Sequence, residues 1–569
     1  MDILITSIFS KNLIQKLLNT QTKSVSFASI ILMASYLASA LLGLLRDRLL
    51  AGKFGAGNEL DVYYTAFVVP DFIALILIFG AVSSAIIPIF SSYYVKSKDE
   101  AFEYVSSLLK MFLLVLIAVS AALIIFAPFL VSLIAPGFSA VKKADTVLLM
   151  QIMFLSPIIL GISNTMSGLL QFFHRFLVTA LAPLMYNIGI ICGILFFVPI
   201  FGLMGLAFGV IFGGLLHLII QLPAFFYSGF RYKARIPGQK IFSFGHKGVV
   251  KTLKLMAPRS IGLGAGQINT IVITAIASTL ATGSVAVFNL AGNLSSMAIS
   301  AVAVSLSTAI FPSMSLAFSR DDSKDFEKKF SGAFKQILFL LIPLSILIFI
   351  LRAQIVRVIL GVGKFSWLDT RLTAACLGIF AVGILAQALI VVLSKTFYAA
   401  HNTKIPAIIS VLTVIFNVAM SFLFVWLLSF QGAFYSLVNY LLKLNGLDDI
   451  RIVGLTLAFS VTAIAEAILL LVFLYRKFSH FDTKIILVSL YKILVASFAM
   501  AIVTFFVRQS LVNFEIVKLE TFWGIFFQLT LTGLAGGITY LFASWSLKSQ
   551  ELKLIRSSFF KEKRTTIDI

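Results

Sequence analysis

The sequence predicts an all-α, polytopic integral membrane protein of about 14 transmembrane helices, arranged as two six-helix lobes plus two extra helices. Three observations carry this. Of 569 residues, 60% are apolar and only 12% charged, against roughly 45–50% and about 25% in soluble proteins. Apolar runs of roughly 20 residues, the length that crosses a hydrocarbon core, recur between polar or Gly/Pro punctuation. A short internal repeat places related residues at equivalent points of two halves.

Residues 1–23 come first. Lys11 and Lys16 interrupt any apolar stretch, so the segment lacks the plan of a cleaved leader, while Ile3, Leu4, Ile8, Leu13, Ile14 and Leu17 predict an amphipathic cytoplasmic segment at the interface. Spans at 24–45, 62–91, 104–131, 146–170, 177–200 and 203–228 then form an N-lobe, 24–228. A basic cytoplasmic loop follows at 229–251, with Arg231, Lys233, Arg235, Lys240, Lys247 and Lys251. Spans at 252–280, 284–318, 331–351, 372–394, 405–430 and 452–475 form a C-lobe, 252–476. The last two spans, 485–507 and 522–546, lie in 477–547, and 548–569 is a basic tail.

An even count puts both termini on one side. Counting loops with adjoining helix ends, that side carries 29 Lys and Arg and the other 13, so the positive-inside rule predicts cytoplasmic termini. The stretch Ser83-Ser84-Ala85-Ile86-Ile87-Pro88 recurs as Ser307-Thr308-Ala309-Ile310-Phe311-Pro312, at the ends of the second and eighth spans. A six-helix offset keeps both copies in the same orientation, as in a parallel duplication.

The formal charge of +22, in so apolar a chain, points to anionic membrane lipids; nucleic acid is not an expected partner. Cys192 and Cys376 sit in apolar runs and offer neither a disulfide framework nor zinc-ligand spacing. His174, His217, His246, His401 and His480 are scattered, and no Gly-rich phosphate loop is present. Neither an enzyme nor a cofactor is expected.

Ionisable and amide residues within or beside apolar spans are the remaining candidates, because burying them in a bilayer is costly. Arg46, in Arg46-Asp47-Arg48, ends the first span and Asp61 begins the second. The pair reads either as interfacial anchors or as a charged element in which the arginine grips a diphosphate. Arg259 lies about two turns into the seventh span and reads either as lining an aqueous cavity or as a snorkelling side chain at the cytoplasmic rim, since the helix begins near Lys251. Glu466, amid Ala463-Ile464-Ala465 and Ala467, reads as a coupling site for a proton or sodium or as a neutral acid between helices. Asn187, Asn289, Asn293, Gln387 and Asn417 suit interhelical hydrogen bonding.

At Gly43-Leu44-Leu45-Arg46-Asp47, Phe54-Gly55-Ala56-Gly57 and Asp61 the sequence resembles the MurJ/MviN family, the lipid II flippases of bacterial cell-wall synthesis. Ala135-Pro136-Gly137-Phe138, Gly213-Gly214 through Gln221-Leu222-Pro223, and Asn402-Thr403-Lys404-Ile405-Pro406 continue the likeness in order over roughly 25–550. The resemblance implies the fold of the multidrug/oligosaccharidyl-lipid/polysaccharide exporter superfamily, a cationic cavity for the lipid II headgroup, and a groove on the last two helices for its tail. Arg46 matches a family arginine, Asp61 a family acid and Asn293 the place of a family arginine. These are expected to bind substrate together with Arg259, which stands where the family is not usually charged. Glu466 and Asn417, read from their own setting, are the candidate ion-coupling residues, and no metal site is expected. Departures stand beside the resemblance. Family cations correspond here to Ala40, to Asn293 and to the residues after Pro70-Asp71-Phe72-Ile73, and a family acid corresponds to Phe79. Arg259 is expected to restore part of the lost charge.

The resulting expectation is a lipid II flippase of the bacterial inner membrane, working by alternating access and driven by membrane potential or an ion gradient. The alternatives are a flippase for another lipid-linked oligosaccharide, a multidrug exporter of the same superfamily, and a non-transporting scaffold for cell-wall assembly.

Overall fold

The computed structural model describes residues 25–76, 86–230, 232, 246–477, 483–515 and 517–553. The amphipathic segment 1–23, most of the loop 229–251 and the tail beyond residue 553 lie outside them. The described residues contain eleven helices long and apolar enough to cross a membrane. Of the other three of the fourteen expected spans, 24–45 and 62–91 include residues outside the described set, and in 252–280 the side chains of 257–263 and 265 lie outside it. The chain divides into two compact units, Met1–Ala286 and Val287–Ile569.

In the first unit, α1 (Val25–Phe54) and α2 (Asn58–Ala74) precede α3 (Ile87–Tyr94) and α4 (Lys98–Ile134), which Ser97 caps by accepting from the Glu100 N–H. Next come α5 (Ala140–Met153), capped by Ser139, then α6 (Leu155–Phe172) and α7 (Phe176–Cys192). A π-helical turn, Gly193–Phe197, leads into α8 (Val198–Phe201), α9 (Met204–Ile219) and α10 (Leu222–Tyr227); α11 (Lys247–Ser278) closes the unit. Hydrocarbon solvates outward apolar side chains, so Ile125 and Phe129 of α4 are exposed, while Phe90, Phe102, Tyr104 and Leu108 pack inward.

Helix α7 and the π-helical turn after it meet α9 along glycines. A Cβ at Gly189 would collide with the backbone of Gly213, one at Gly193 with that of Gly209, and one at Gly205 with that of Phe197. Without a hydrophobic driving force between helices in lipid, such close backbone approach gains dispersion contacts that larger residues would block.

In the second unit, a π-helical turn, Ser300–Val304, separates α12 (Ser284–Ile299), which begins in the first unit, from α13 (Ser305–Ser319). Asp322 caps α14 (Ser323–Leu360), and a reciprocal Ser366/Asp369 capping box starts α15 (Trp367–Ala399). There follow α16 (Lys404–Ser429), a short amphipathic α17 (Ala433–Leu442), α18 (Ile452–Lys477), α19 (Thr483–Asn513) and α20 (Phe522–Ser546). Phe288, Phe380 and Phe459 meet edge to face, at 5.3 to 6.3 Å between centroids. Cys376 is buried and Cys192 half-buried, both as free thiols.

Candidate functional site

Arg46 lies in the C-terminal half of α1, where a guanidinium needs partners because lipid supplies none. Its Nε and Nη2 donate to Asp47 Oδ1 at 3.0 and 2.9 Å, and its Nη1 donates to Asn187 Oδ1 of α7 at 3.3 Å. Asn187 is itself fixed, donating from Nδ2 to Ser39 Oγ at 3.1 Å and to the Pro183 carbonyl at 3.3 Å. Asp47 is buried. The result is a guanidinium held by one acid and one amide.

Asp61, in the first turn of α2, is 1% exposed. Its Oδ2 accepts from Lys142 Nζ of α5 at 2.7 Å and from Gly283 N at 2.7 Å, and its Oδ1 accepts from Ala286 N at 2.9 Å. The carboxylate thus caps the start of α12 from a distance, satisfying N–H groups that no intrahelical carbonyl can reach. Gly283 has φ +90° and lies so close to the Ala56 carbonyl that a Cβ would collide with it. Lys142 also stands 4.1 Å from the Phe138 ring centroid. In the sequence Lys142 reads only as loop charge; its place within the first turn after the Ser139 cap is the signal that it points back along its helix.

Arg259 falls within α11, and its side chain lies outside the described residues. Asn293 is half-buried on α12. Arg46 and Asp61 therefore occupy separate clusters: Arg46 is bonded across to α7, Asp61 to α5 and the start of α12.

Asn417 and Glu466 belong to a third cluster. Thr413 and Asn417, one turn apart on α16, face Thr462 and Glu466, one turn apart on α18. Thr413 Oγ1 donates to Glu466 Oε2 at 3.2 Å, and Asn417 Nδ2 donates to Thr462 Oγ1 at 3.2 Å. Asn417 Oδ1 and Ser421 Oγ are buried with no hydrogen-bond partner, so oxygens remain there to accept a proton donor or a cation. Sequence reasoning missed the two threonines, although their spacing of four from Asn417 and Glu466 was available.

A buried polar chain joins α6 and α9. Ser163 Oγ lies 2.6 Å from His217 Nδ1, Gln221 Nε2 donates to Ser163 Oγ at 2.8 Å, and Ser167 Oγ donates to Gln221 Oε1 at 2.7 Å. Among the described residues, no group of three or more His, Cys, Asp or Glu could hold a metal ion.

Among the described residues, eleven helices long and apolar enough to cross a membrane, with charged and amide clusters inside their packing, define the class of a multi-pass membrane protein. Two solved structures share the fold. A lipid II flippase MurJ in an inward closed conformation matches with TM-score 0.71 and 24% identity, covering 94% of this chain and 99% of that one. An inward-facing multidrug resistance transporter of the MATE family matches with TM-score 0.63 and 13% identity, covering 80% and 99%. The model of the lipid II flippase MurJ family matches residues 50–433. A probable lipid II flippase MurJ of Buchnera aphidicola subsp. Acyrthosiphon pisum is 30% identical over 431 residues, 74% of this chain and 83% of that protein. The lipid II flippase MurJ of Burkholderia cenocepacia is 27% identical over 430 residues, 72% and 81%. The chain belongs to the lipid II flippase MurJ family.

Proposed function

We infer that this protein moves lipid II from the inner to the outer leaflet of the bacterial inner membrane by alternating access, with both termini cytoplasmic. The match across 50–433 to a family of lipid II flippases carries this reading. The lysine and arginine asymmetry supports the orientation. Lobes at 24–228 and 252–476 alternate about the headgroup, while 477–547 guides the tail.

Arg46 meets the diphosphate. Its fork is pre-oriented by Asp47 and Asn187, and exchanging the 3.3 Å amide contact for an anionic oxygen strengthens a weak hydrogen bond into a charge-assisted one. Arg259 and Asn293 extend the headgroup site from α11 and α12. Asp61 acts by holding the N-terminus of α12, so that substrate passage requires this contact to open and reform. Thr413, Asn417, Thr462 and Glu466 take the coupling ion, a proton or sodium, in line with the unsatisfied oxygens there. Only the polar headgroup needs a pathway, because the polyprenyl tail stays in hydrocarbon.

The test is complementation of cells depleted of their own lipid II flippase, scored by growth and by lipid II exposure on the outer leaflet. Rescue that disappears with Arg46→Ala at unchanged expression is the expected result. A well-inserted chain that rescues neither readout overturns the assignment and redirects it to another lipid-linked cargo.

A further inference from the structure

Two arginines outside these clusters converge on one turn of α14. Arg352 donates from Nη1 to the Phe349 carbonyl at 2.8 Å, and Arg508, reaching across from α19, donates from Nη1 to the Ile350 carbonyl at 2.9 Å. Consecutive carbonyls thus anchor two like charges, and Arg508 bears electrostatically on Arg352. Each guanidinium also lies against a ring, 5.0 Å from the Phe349 centroid for Arg352 and 5.4 Å from that of Phe505 for Arg508. Room for Arg352 is built into α15, where a Cβ at Gly378 would stand 2.6 Å from the arginine Cδ. On the far side Gln354 Nε2 donates to Gln528 Oε1 at 3.0 Å, and Gln528 Nε2 to the Arg508 carbonyl at 3.3 Å, tying α14, α19 and α20 together.

Charges at membrane depth are ordinarily neutralised by an acid. Among the described residues no carboxylate pairs with either guanidinium, and each gives a single N–H to the protein while the rest of its fork stays unspent. Two adjacent forks match several anionic oxygens on one centre or on two linked centres, as in a phosphate ester or a diphosphate. A lone carboxylate would leave one charge uncompensated.

Arg352 precedes the end of α14 by eight residues and Arg508 the end of α19 by five, roughly 12 and 8 Å at about 1.5 Å per residue. On the orientation inferred above, which this step rests on, those ends face the outer leaflet. We propose that Arg352 and Arg508 form a binding site for lipid-borne phosphate at the outer ends of α14 and α19, separate from the Arg46 cluster. Its occupant is either the diphosphate of cargo leaving the protein or the headgroup of an anionic phospholipid.

Purified full-length chain in neutral detergent is titrated with undecaprenyl diphosphate, with phosphatidylglycerol and with inorganic pyrophosphate, and binding is read by native mass spectrometry. The Arg46→Ala variant is the background, so that the Arg46 cluster does not mask the second site, and its own flipping defect is scored separately by lipid II exposure. Adding Arg352→Gln and Arg508→Gln is expected to weaken lipid binding at least tenfold, and the corresponding double lysine variant to recover part of it. Preference for undecaprenyl diphosphate assigns the site to departing cargo, and equal affinity for phosphatidylglycerol assigns it to bulk headgroups. Binding of both lipids that is unchanged by the glutamine pair, or absent from the Arg46→Ala background, overturns the proposal and leaves two snorkelling side chains.

Discussion

Lys142 Nζ and the backbone N–H of Gly283 both reach Asp61 Oδ2, each at 2.7 Å. One buried carboxylate oxygen thereby joins the start of α5 to the start of α12. Lys142 and the N–H groups of Gly283 and Ala286 compensate this buried acid together, and losing the lysine would leave its charge without a counter-charge.

Breaking that pair is costly. Lys142→Met or Asp61→Asn is expected to lower stability by about 3 kcal/mol, the scale of an uncompensated buried charge. Because each substitution removes the same contact, the double variant loses much less than the sum. Thermal unfolding of the four proteins in one detergent closes the cycle, and additive losses refute the pairing.

Gly283→Ala tests the same junction through the backbone. At φ +90° a side chain is strained, and here it also meets the Ala56 carbonyl. A loss of at least about 2 kcal/mol follows from strain and collision together. An alanine variant that unfolds with the parent shows that the loop relaxes freely.

Arg46→Lys keeps the charge and removes the fork. If bidentate recognition of the diphosphate sets the rate, lipid II exposure falls about tenfold, or about 1.4 kcal/mol, while melting temperature changes little. A lysine variant of full activity indicates that charge alone suffices.

Glu466→Gln and Asn417→Ala bear on coupling. Either is expected to flatten the dependence of transport on sodium or on pH, whichever the parent shows, with cargo binding retained. The dependence is measured in proteoliposomes under imposed gradients, and a parent-like response from both variants removes the α16–α18 cluster from coupling.

Acid sensitivity has a named source at the end of the chain. Burial by itself would push the Glu551 carboxyl up, but the hydroxyls of Ser489 and Ser549, each donating at 2.7 Å, hold it below the usual glutamate value, with Lys335 contributing. A carboxylate with a depressed folded value adds stability above its ordinary value of about 4.3 and loses it as pH falls through the folded one. Unfolding midpoints should drop on acidification below about pH 5, and Glu551→Gln should lower the neutral midpoint and flatten that drop. An equal acid drop in the variant places the sensitivity elsewhere.

Much of the fold was legible because bilayers impose a single rule, that a spanning segment hide its backbone in a helix and offer apolar side chains outward. That rule reads in runs of Leu, Ile and Phe, and α4 and α16 follow it. Candidate-site residues were legible one at a time, since Glu466 stands out against apolar neighbours and Arg46 and Asp61 mark the end of one span and the start of the next. Their partners were not. Lys142 is 81 residues from Asp61 and Asn187 is 141 from Arg46, and nothing local to either distinguishes it from other loop lysines or helix asparagines. Arg352 and Arg508 were hidden for another reason: each sits just past the end of an apolar run, where an arginine ordinarily signals only the water boundary.

The glycine seam between α7 and α9 constrains heredity as well as packing. Every one-base change of a glycine codon that alters the residue adds at least one carbon beyond Cα, and at Gly189, Gly193 and Gly205 that carbon would occupy space already filled by main chain. A lineage cannot retune this contact by small steps, as it can a leucine-lined one. It must keep the glycines or move both helices at once.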